Sequence, residues 1–385
     1  MKILLVTDFF PVGKDLRFSG GVEARSFYVA KNLSRKHRIS VITSRLPGTK
    51  VKEKTNGFTV YRPGPVIKYN SGSSNVLDVH KKVKFILAAI ALGKKLEIDI
   101  CDGGNFVDHF IAKRIANYHK KPVIFWYPDV FIGQWIRTSG IFSGTVGYIL
   151  ERFNISASAN YFIAISEQTK IKLLNQGVSS KNITVIPCGI DEKEYSNKKL
   201  DKRKKTIITI NRLVSYKNIK DLVFAFALLV KKGHKVNLKI IGSGPQKKLL
   251  KDLVRELKIQ NKVKFAQNLP RKELIKELSF SYIFCSPSSV EGFGISVIEA
   301  AAAGIPYVIS DIDVFKEVTK NGLGGLFFKL GNINSLSNTL EKYLKDDKLY
   351  LKKEKEGEKL AKNYSWKKIS NQTESLYRKF ILKWR

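Results

Sequence analysis

Two glutamates that stand eight residues apart, Glu291 and Glu299, flank a loop with two glycines. The short apolar segment Tyr282–Cys285 before them predicts a strand. A helix is predicted to begin near Ile295 and to end at residues 304–306, before a further strand. A strand, a glycine loop and a helix in this order present the first N–H groups of the helix to an anion. In such a helix Glu299 lies roughly one turn inside, whereas Glu291 lies in the preceding loop.

The combination of residues in this stretch is more informative than any one of them. Taken singly, each glutamate is explained equally well as a solvated side chain, and Gly304 as a helix C-cap. Together with Gly292-Phe293-Gly294 and the alanine-rich helix, the two carboxylates favour a binding site. The whole stretch, EGFGISVIEAAAAGIPYVIS, resembles the E-x7-E signature of the retaining glycosyltransferases of family 4, which have the GT-B fold.

The resemblance covers nearly the whole chain, from Gly20 to about Leu344, and implies a nucleotide-sugar donor bound mainly by the C-terminal domain. It implies that Glu299 hydrogen-bonds the ribose hydroxyls. It also implies that Glu291 holds the sugar ring and the distal phosphate. The backbone of three neighbouring residues would complete this part of the donor site: Phe293, Gly294 and Ile295.

Two basic residues, Arg212 and Lys217, follow the predicted strand Thr206–Ile210 and resemble the basic pair with which the family holds the donor diphosphate. Arginine offers a fork for two oxygens, and lysine supplies a compact charge. The resemblance implies that both stabilise the charge that grows on the leaving diphosphate, so that Glu291, Arg212 and Lys217 are the predicted catalytic residues. Gly20 and Gly21, after the first strand, resemble the family's N-terminal glycine loop, which covers the donor diphosphate.

The resemblance implies no metal ion and no other cofactor, because basic residues and a helix dipole take the place of the metal. The segment Asp311-Ile312-Asp313 is a D-x-D, which binds metal in another glycosyltransferase fold. It follows the strand after the Glu299 helix, where the GT-B fold has no metal site, so a metal site is not predicted here.

The predicted acceptor side departs from the family pattern. The family usually carries a histidine after the strand that begins at Val123, and this chain has none there. Tyr127 and Asp129 are the polar residues left to replace it, and either of them, or neither, takes that place. The aromatic, glycine-containing stretch 133–153 is expected at the cleft rim, with Trp135 as an acceptor contact, or else as a buried structural loop. Retention implies that a donor phosphate oxygen takes the acceptor proton, so a protein base is not needed.

Alternating strands and helices predict an α/β protein, and the resemblance makes it a GT-B fold with two doubly wound Rossmann-like domains facing a cleft. Residues 1–195 are the predicted acceptor-side domain, and residues 196–365 the nucleotide-sugar-binding domain. Residues 366–385 are predicted to cross back to the first domain as a helix. The lysine-rich segment Glu192–Lys205 is the predicted linker.

The composition is that of a folded protein with a large excess of positive charge. The net charge is +36, with +14 in residues 1–195 (29 basic against 15 acidic) and +22 in residues 196–385 (40 against 18). Such a field attracts nucleic acid, anionic lipid headgroups or phosphorylated substrates, although it also follows from a lysine-rich composition alone. Three cysteines without a C-x-x-C favour a reducing cytosol, and no transmembrane helix is expected. The stretch HKKVKFILAAIALGKK (80–95) predicts a core helix with solvated ends or a helix on a membrane surface.

These observations predict a glycosyltransferase that moves a hexose from a nucleotide sugar to a glycan acceptor. The basic surface favours a lipid-linked acceptor in surface-glycan biosynthesis, and hence a cytoplasmic enzyme on the inner face of an anionic membrane. One alternative is an enzyme with a soluble acceptor, such as a polysaccharide or disaccharide synthase. A basic nucleic-acid-binding protein is disfavoured, since no recognisable module for it is present. An inactive GT-B scaffold is disfavoured by the four charged residues of the predicted site.

Overall fold

The computed structural model describes residues 1–11, 20–67, 79–136, 140–156, 161–195 and 205–384. These residues form two compact units, each built around a β-sheet. One unit contains the described residues up to Cys188 and the C-terminal helix from Trp366, and the other the described residues of Gly189–Ser365. The predicted boundary at residue 195 stays a prediction, and most of the predicted linker, residues 196–204, lies outside the described residues.

The sheet of the first unit has eight strands among the described residues, in the order β3-β4-β2-β1-β5-β6-β7-β8. All neighbours are parallel except β3 and β4, which pair antiparallel. The sequence did not predict β3, because it is a short polar edge strand. The strands are β1 (Lys2–Val6), β2 (Arg38–Ile42), β3 (Lys52–Thr55), β4 (Phe58–Tyr61), β5 (Ile100–Gly103), β6 (Val123–Tyr127), β7 (Tyr161–Ala164) and β8 (Ile183–Val185).

Helices cover the first sheet, so its central strands are buried continuously, as parallel strands with two covered faces must be. Every residue of β5 and β6 is buried. The helices are α1 (Gly21–Leu33), α2 (Val79–Gly93), α3 (Phe106–His119), α4 (Ile141–Ser156) and α5 (Glu167–Leu174).

The second sheet contains six parallel strands in the order β11-β10-β9-β12-β13-β14. In sequence this is third-second-first-fourth-fifth-sixth, so the chain changes direction across the sheet between β9 and β12. Ligands of doubly wound sheets bind at the carboxyl ends of the strands at this switch point. The strands are β9 (Thr206–Ile210), β10 (Asn237–Ile241), β11 (Val263–Ala266), β12 (Ile283–Ser286), β13 (Tyr307–Ser310) and β14 (Gly325–Phe328).

The second unit places its helices on both faces of this sheet. They are α6 (Ile219–Lys231), α7 (Lys247–Glu256), α8 (Arg271–Ser279), α9 (Ile295–Ala302), α10 (Asp313–Val318), α11 (Ile333–Lys345) and α12 (Asp347–Ala361). Short 3-10 turns occur in both units at Ser180–Asn182, Glu192–Glu194, Ser215–Lys217, Gln260–Lys262 and Lys362–Tyr364. The start of α9 at Ile295 and the strand β13 confirm the sequence predictions for the E-x7-E stretch.

The C-terminal helix α13 (Trp366–Trp384) packs on the first unit. The Trp366 ring stacks on Tyr28 of α1, with 5.2 Å between ring centroids. The Tyr377 hydroxyl donates to the Asp102 carboxylate, which also accepts two hydrogen bonds, of 2.7 and 2.6 Å, from Arg25. These groups are buried, so α13 is an integral part of the first unit rather than a loose tail. No helix in the part of the chain that the structure describes has the length and apolar content needed to cross a bilayer.

Candidate active site

The loops after β9 and β12 meet at the switch point of the second sheet. The Ser289 amide and hydroxyl both donate to the Tyr216 carbonyl, at 2.9 and 3.1 Å. The side-chain amide of Asn218 (Nδ2) donates to the Pro287 carbonyl at 3.1 Å. Because β9 and β12 are adjacent and parallel, residues far apart in sequence leave the sheet at the same edge. These hydrogen bonds hold the two loops in one arrangement.

An ion pair joins the two loops. The Lys217 Nζ lies 2.5 Å from Glu291 Oε1, and both side chains are about nine-tenths buried (9% and 11% exposed). Two of the three residues predicted to be catalytic are therefore in direct contact. A pair withdrawn from water in this way is costly to break, because the remaining charge would be buried without a partner.

Arg212 supplies a second positive charge beside this pair. Its guanidinium donates to the Tyr216 hydroxyl. The Tyr216 ring lies 5.9 Å from the Arg212 guanidinium carbon and 5.4 Å from Lys217 Nζ, as centroid distances. Arg212 itself is exposed, so its guanidinium remains accessible to an anion from solvent. The three predicted catalytic residues thus occupy one edge of the second sheet.

A glycine loop supports the segment that carries Arg212. A Cβ added at Gly242 would lie 1.8 Å from the Asn211 carbonyl oxygen, and one added at Gly244 would lie 2.4 Å from that of Leu213. The Leu213 amide also donates to the Ser243 carbonyl at 2.8 Å. Only glycine permits this close approach of two backbones, which fixes the position of the loop after β9.

The helix α9 starts at the same edge. Its N-cap, Gly294, has φ of +84°, and an added Cβ would lie 2.6 Å from a ring carbon of Phe315. Glycine is required here, and it provides no side chain to cap the first N–H groups of α9. The Phe293 ring is buried against Tyr364 and anchors the loop. The start of α9, Ile295, therefore offers helix N–H groups without a side-chain cap at the sheet edge that also carries the Lys217–Glu291 pair, an arrangement that suits an anion.

Glu299, one turn into α9, is engaged by a residue that the sequence did not single out. Arg271, at the start of α8, donates to Glu299 Oε1 at 2.5 Å. The same guanidinium donates to Glu194 Oε2 at 2.9 and 3.0 Å and to the Tyr195 hydroxyl at 2.7 Å. Arg271 thus fixes the Glu299 carboxylate against the segment that opens the second unit. One arginine among 69 basic residues carries no local signal of this role.

Gly20 and Gly21 lie at the start of α1 in the first unit. No atom comes within 4 Å of a Cβ added at either position, and Gly20 is the extended N-cap of the helix. Packing in the described residues therefore does not require glycine at these two positions. Their predicted role in covering a donor diphosphate stays a prediction, and Ser19 before them lies outside the described residues.

Two of the three predicted acceptor contacts lie deeper than expected. Tyr127 is fully buried, and its hydroxyl makes no hydrogen bond to the residues that the structure describes; burial raises the pKa of this phenol well above its ordinary value. Asp129 is 6% exposed and accepts from Lys172 Nζ at 2.6 Å and from the Val130 amide at 2.8 Å. Replacement of the missing histidine by either residue stays a prediction.

The alternative of a buried structural loop over residues 133–153 is wrong for most of that stretch, because α4 occupies Ile141–Ser156. Gly144 and Gly147 disfavour a helix locally, but packing requires both. An added Cβ would lie 2.7 Å from Ile136 Cα at Gly144, and 2.5 Å from the Trp135 ring at Gly147. Tertiary packing therefore overrides the local preference.

Trp135 contacts a buried carboxyl of this helix. Its Nε1 donates to Glu151 Oε2 at 2.6 Å, and the Phe131 amide donates to Glu151 Oε1 at 3.1 Å. Burial raises the pKa of Glu151 to about 7, against the lowering by these two hydrogen bonds and with a further rise from the Asp129 charge. No pattern in the sequence indicates this environment of Glu151.

A buried histidine, also missed by the sequence, lies beside Tyr127. The ring of His109 is 4.7 Å from that of Tyr127, and its Nε2 hydrogen-bonds the Trp126 carbonyl at 3.0 Å. Burial lowers the pKa of His109 to about 3, so the imidazole is neutral at physiological pH. It belongs to the core under the predicted acceptor side.

The described residues contain no group of three or more histidine, cysteine, aspartate or glutamate side chains placed to hold a metal ion. In the D-x-D segment, Asp311 accepts from the Leu330 amide at 3.0 Å and Asp313 pairs with Lys316 at 3.3 Å. Both carboxylates thus have structural partners.

Two Rossmann-like units and a basic, carboxylate-containing switch point define a glycosyltransferase of the GT-B type. The model of glycosyltransferase family 4 matches residues 19–194, and the model of group 1 glycosyl transferases matches residues 191–360. The chain therefore belongs to the group 1 glycosyltransferases of family 4, enzymes of the EC 2.4 type. The family predicted from the E-x7-E stretch is confirmed.

Solved structures show the same fold. Sucrose-phosphate synthase from Thermosynechococcus elongatus superposes with a TM-score of 0.84 at 18% identity, over 99% of both chains. HepE from Anabaena, solved with UDP-glucose, gives a TM-score of 0.76 at 16% identity, over 98% of this chain and 99% of that one. The predicted GT-B fold class is confirmed.

A relative in Campylobacter jejuni is 26% identical over 333 residues, which are 82% of this chain and 85% of the relative. It is named N,N'-diacetylbacillosaminyl-diphospho-undecaprenol alpha-1,3-N-acetylgalactosaminyltransferase. The name describes a sugar transferred to a lipid-linked acceptor in that organism.

Proposed function

We propose that this glycosyltransferase is a retaining enzyme that moves a hexose from a nucleoside-diphosphate sugar to a lipid-linked glycan acceptor. The observation that carries the proposal is the Lys217–Glu291 ion pair, which lies beside Arg212 and the uncapped start of α9. Positive charge and helix N–H groups at one edge match a diphosphate. Carboxylates at the same edge match sugar hydroxyls, which are hydrogen-bond donors.

Each side chain of the site has a distinct proposed role. Arg212 and Lys217 bind the diphosphate and stabilise the negative charge that accumulates on it during the reaction. Glu291 accepts from hydroxyls of the transferred sugar, and Glu299 accepts from the ribose. The backbone N–H groups at the start of α9 bind the distal phosphate.

The proposed reaction breaks the bond between the anomeric carbon and the diphosphate oxygen. The acceptor hydroxyl oxygen forms its bond to the anomeric carbon on the same face, and its proton passes to the leaving diphosphate. The products are the nucleoside diphosphate and the glycosylated acceptor with retained configuration. The bond to the leaving group is longer in the transition state than in the bound substrate, so the diphosphate carries more negative charge there. Fixed positive charge therefore stabilises the transition state more than the bound substrate and lowers the barrier.

The donor chemistry is proposed to need no metal ion, since Arg212, Lys217 and α9 provide the charge that a metal would supply. The expected result is full activity after dialysis against EDTA. Loss of activity that returns with a divalent cation would contradict this part of the proposal.

A lipid-linked acceptor is supported by the net charge of +36, which attracts anionic membrane surfaces, and by the acceptor named for the C. jejuni relative. The proposed location is therefore the cytoplasmic face of a membrane. A soluble acceptor is the second candidate, because the chain also superposes closely on a sucrose-phosphate synthase.

The donor proposal is tested by a thermal-shift and hydrolysis screen of UDP-, GDP-, ADP- and dTDP-sugars. We expect one nucleotide sugar to stabilise the wild type by several degrees and to stabilise Glu299→Ala and Arg212→Ala much less. Absence of any shift in the wild type would overturn the donor assignment.

The acceptor proposal is tested with the donor identified in that screen. Radiolabelled sugar is expected in the organic phase with a polyprenyl-diphosphate-linked glycan and not with the free glycan. Equal transfer to the free glycan would favour the soluble-acceptor alternative. The anomeric configuration of the product, determined by NMR, tests retention in the same samples.

A further inference from the structure

The helix α4 (Ile141–Ser156) of the first unit exposes apolar side chains that an ordinary surface helix would bury. Its buried face is mostly small and polar: Gly144, Glu151 and Asn154 are buried together with the apolar Ile155, and Gly147 lies against the Trp135 ring. These positions recur every three or four residues and lie on one face. An amphipathic helix of a globular protein buries its apolar stripe instead.

Specific contacts fix the rotation of α4. Gly144 and Gly147 lie against Ile136 and the Trp135 ring, where no side chain fits. Glu151 accepts from the Trp135 indole, and the Asn154 amide donates to the Phe106 carbonyl at 2.8 Å. Turning the helix would break these hydrogen bonds and bring larger side chains against Trp135.

The outward face is consequently apolar. Phe142, Val146, Ile149 and Phe153 recur at helical spacing and are 69, 56, 61 and 50% exposed. Three further apolar residues next to this stripe are also exposed: Ile136, Ile141 and Tyr148. Scattered exposed apolar residues need no explanation, but four large ones that share one face of a helix mark an interaction site.

The charges around this face have one sign. Residues 106–156 contain three acidic side chains, Asp108, Asp129 and Glu151, and all three are buried. Basic residues border the stripe: Lys113 Nζ lies 5.4 Å from the centroid of the Phe153 ring, and Arg152 is exposed. Over these described residues the face combines apolar side chains with a cationic margin and shows no exposed carboxylate.

We propose that the outward face of α4 is the surface with which this enzyme binds an anionic lipid bilayer. Apolar side chains enter the boundary between headgroups and acyl chains, and cationic side chains at the margin pair with lipid phosphates. An apolar face alone would suit a protein partner equally well. The one-signed margin, in a chain with 69 basic and 33 acidic residues, matches an anionic leaflet better. The inference extends the proposed lipid-linked acceptor by naming the surface that would hold the enzyme at the membrane.

The stretch 80–95, for which the sequence left a core helix and a membrane-surface helix open, corresponds to α2 (Val79–Gly93). This helix buries Phe85 and Ala89 in the core. Its exposed large apolar residues are Val79, Val83 and Leu87, fewer than those of α4. Leu87 is 63% exposed, close to the 61% of Ile149, and so provides a matched control on the same unit.

Flotation of the full chain with phosphatidylcholine vesicles, with and without phosphatidylglycerol, tests the proposal. Wild type is expected to bind the anionic vesicles, and Ile149→Glu to bind them about tenfold more weakly or worse, because a charge replaces an inserted apolar side chain. Leu87→Glu is expected to stay within about twofold of wild type. Thermal unfolding of each variant reports whether it is folded.

Three outcomes would overturn the assignment. The first is no binding of wild type to anionic vesicles at low salt. The second is equal loss in Ile149→Glu and Leu87→Glu. The third is a wild-type dimer in sedimentation analysis that Ile149→Glu dissociates, which would make the face a contact between two copies. Vesicle binding needs no sugar donor, so its failure is distinguishable from failure of the proposed transfer reaction.

Discussion

The acidic side chains at the carboxyl-end edges of the two sheets differ in the groups that contact them. In the second unit, each carboxylate of the site is paired with a base, Glu291 with Lys217 and Glu299 with Arg271. In the first unit, Glu151 is buried against neutral donors, the Trp135 indole and a backbone amide. The two edges share a parallel-sheet architecture and differ at Glu151, which has no cationic partner among the described residues, whereas Asp129 of the same edge pairs with Lys172.

The two arrangements have different consequences: fixed ion pairs suit the binding of an anion, and a carboxyl group buried against neutral donors has a raised pKa. A set of paired charges held by fixed loops keeps positive potential available for a diphosphate without reorganisation. A carboxyl group buried without a counter-ion is driven toward its neutral form, and the pKa of about 7 at Glu151 expresses that cost. Catalysis is therefore expected to depend on the edge of the second sheet, and pH-dependent stability on that of the first.

The largest predicted effect concerns the charges of the second edge. Arg212→Ala and Lys217→Ala are each expected to lower kcat by about 100- to 1000-fold, because each removes a cation from the developing diphosphate charge. Steady-state kinetics with the identified donor measure this. Arg255→Ala is the control, since Arg255 pairs only locally with Asp252 and its side chain is 70% exposed. Comparable losses in the control would show that net charge, and not this site, governs catalysis.

Gly294 in the second unit and Gly21 in the first allow the two units to be compared by the free energy of unfolding. Gly294→Ala is expected to lower the free energy of unfolding by about 2–4 kcal/mol, since the added Cβ meets Phe315 and the backbone has positive φ. Gly21→Ala is expected to change it by less than about 0.5 kcal/mol, because open space surrounds its Cβ. Urea titrations followed by fluorescence measure both. Similar losses would mean that Gly21 is also held by packing.

These two edges also differ in how far the sequence predicted them. The start of α9, the strand β13 and the place of Glu299 follow from glycine positions and from the periodicity of neighbouring residues within one element, which local propensity and spacing capture. Arg271 reaches Glu299 across 28 positions of sequence, and Trp135 reaches Glu151 across 16. Such contacts exist only after the chain has packed. For the same reason the sequence left a buried loop open for residues 133–153, although the glycines of α4 are the residues that let this helix pack closely.

The raised pKa of Glu151, at the edge of the first sheet, predicts that the free energy of unfolding depends on pH. The folded-state pKa of about 7 exceeds the ordinary 4.5, so between those values the folded protein holds a proton that the unfolded chain releases. The unfolding free energy therefore falls as pH rises through this window, by up to about 3 kcal/mol from this group. Glu151→Gln is expected to remove that fall. Denaturant titrations of both proteins at several pH values measure the difference between them.

The comparison of wild type with Glu151→Gln cancels the contributions of other titrating groups, among them His109. A difference that does not change between pH 5 and 8 would contradict the assignment of the high pKa to Glu151. Trp135→Phe sharpens the test. The indole hydrogen bond lowers the pKa of Glu151, so its removal is expected to move the window to higher pH.

The smallest predicted effect concerns Arg271, which donates to Glu299 and is proposed to act on the donor through that carboxylate. Arg271→Ala is expected to raise the donor KM about tenfold with little change in kcat, because Glu299 loses the guanidinium that orients it toward the ribose. Arg271→Lys is expected to recover only part of the loss, since an ammonium cannot contact Glu299, Glu194 and Tyr195 together as the guanidinium fork does.

A purely structural role for Arg271 would give a different pattern. The variants would then unfold at lower temperature and bind the nucleotide sugar normally below that temperature. Calorimetric titration of donor into Arg271→Ala, Glu299→Ala and the double variant separates the two cases. If Arg271 acts through Glu299, the double variant binds no more weakly than Glu299→Ala. Additive losses would mean that Arg271 contacts the donor directly. The Arg271–Glu299 pair would then not be what orients the Glu299 carboxylate toward the donor.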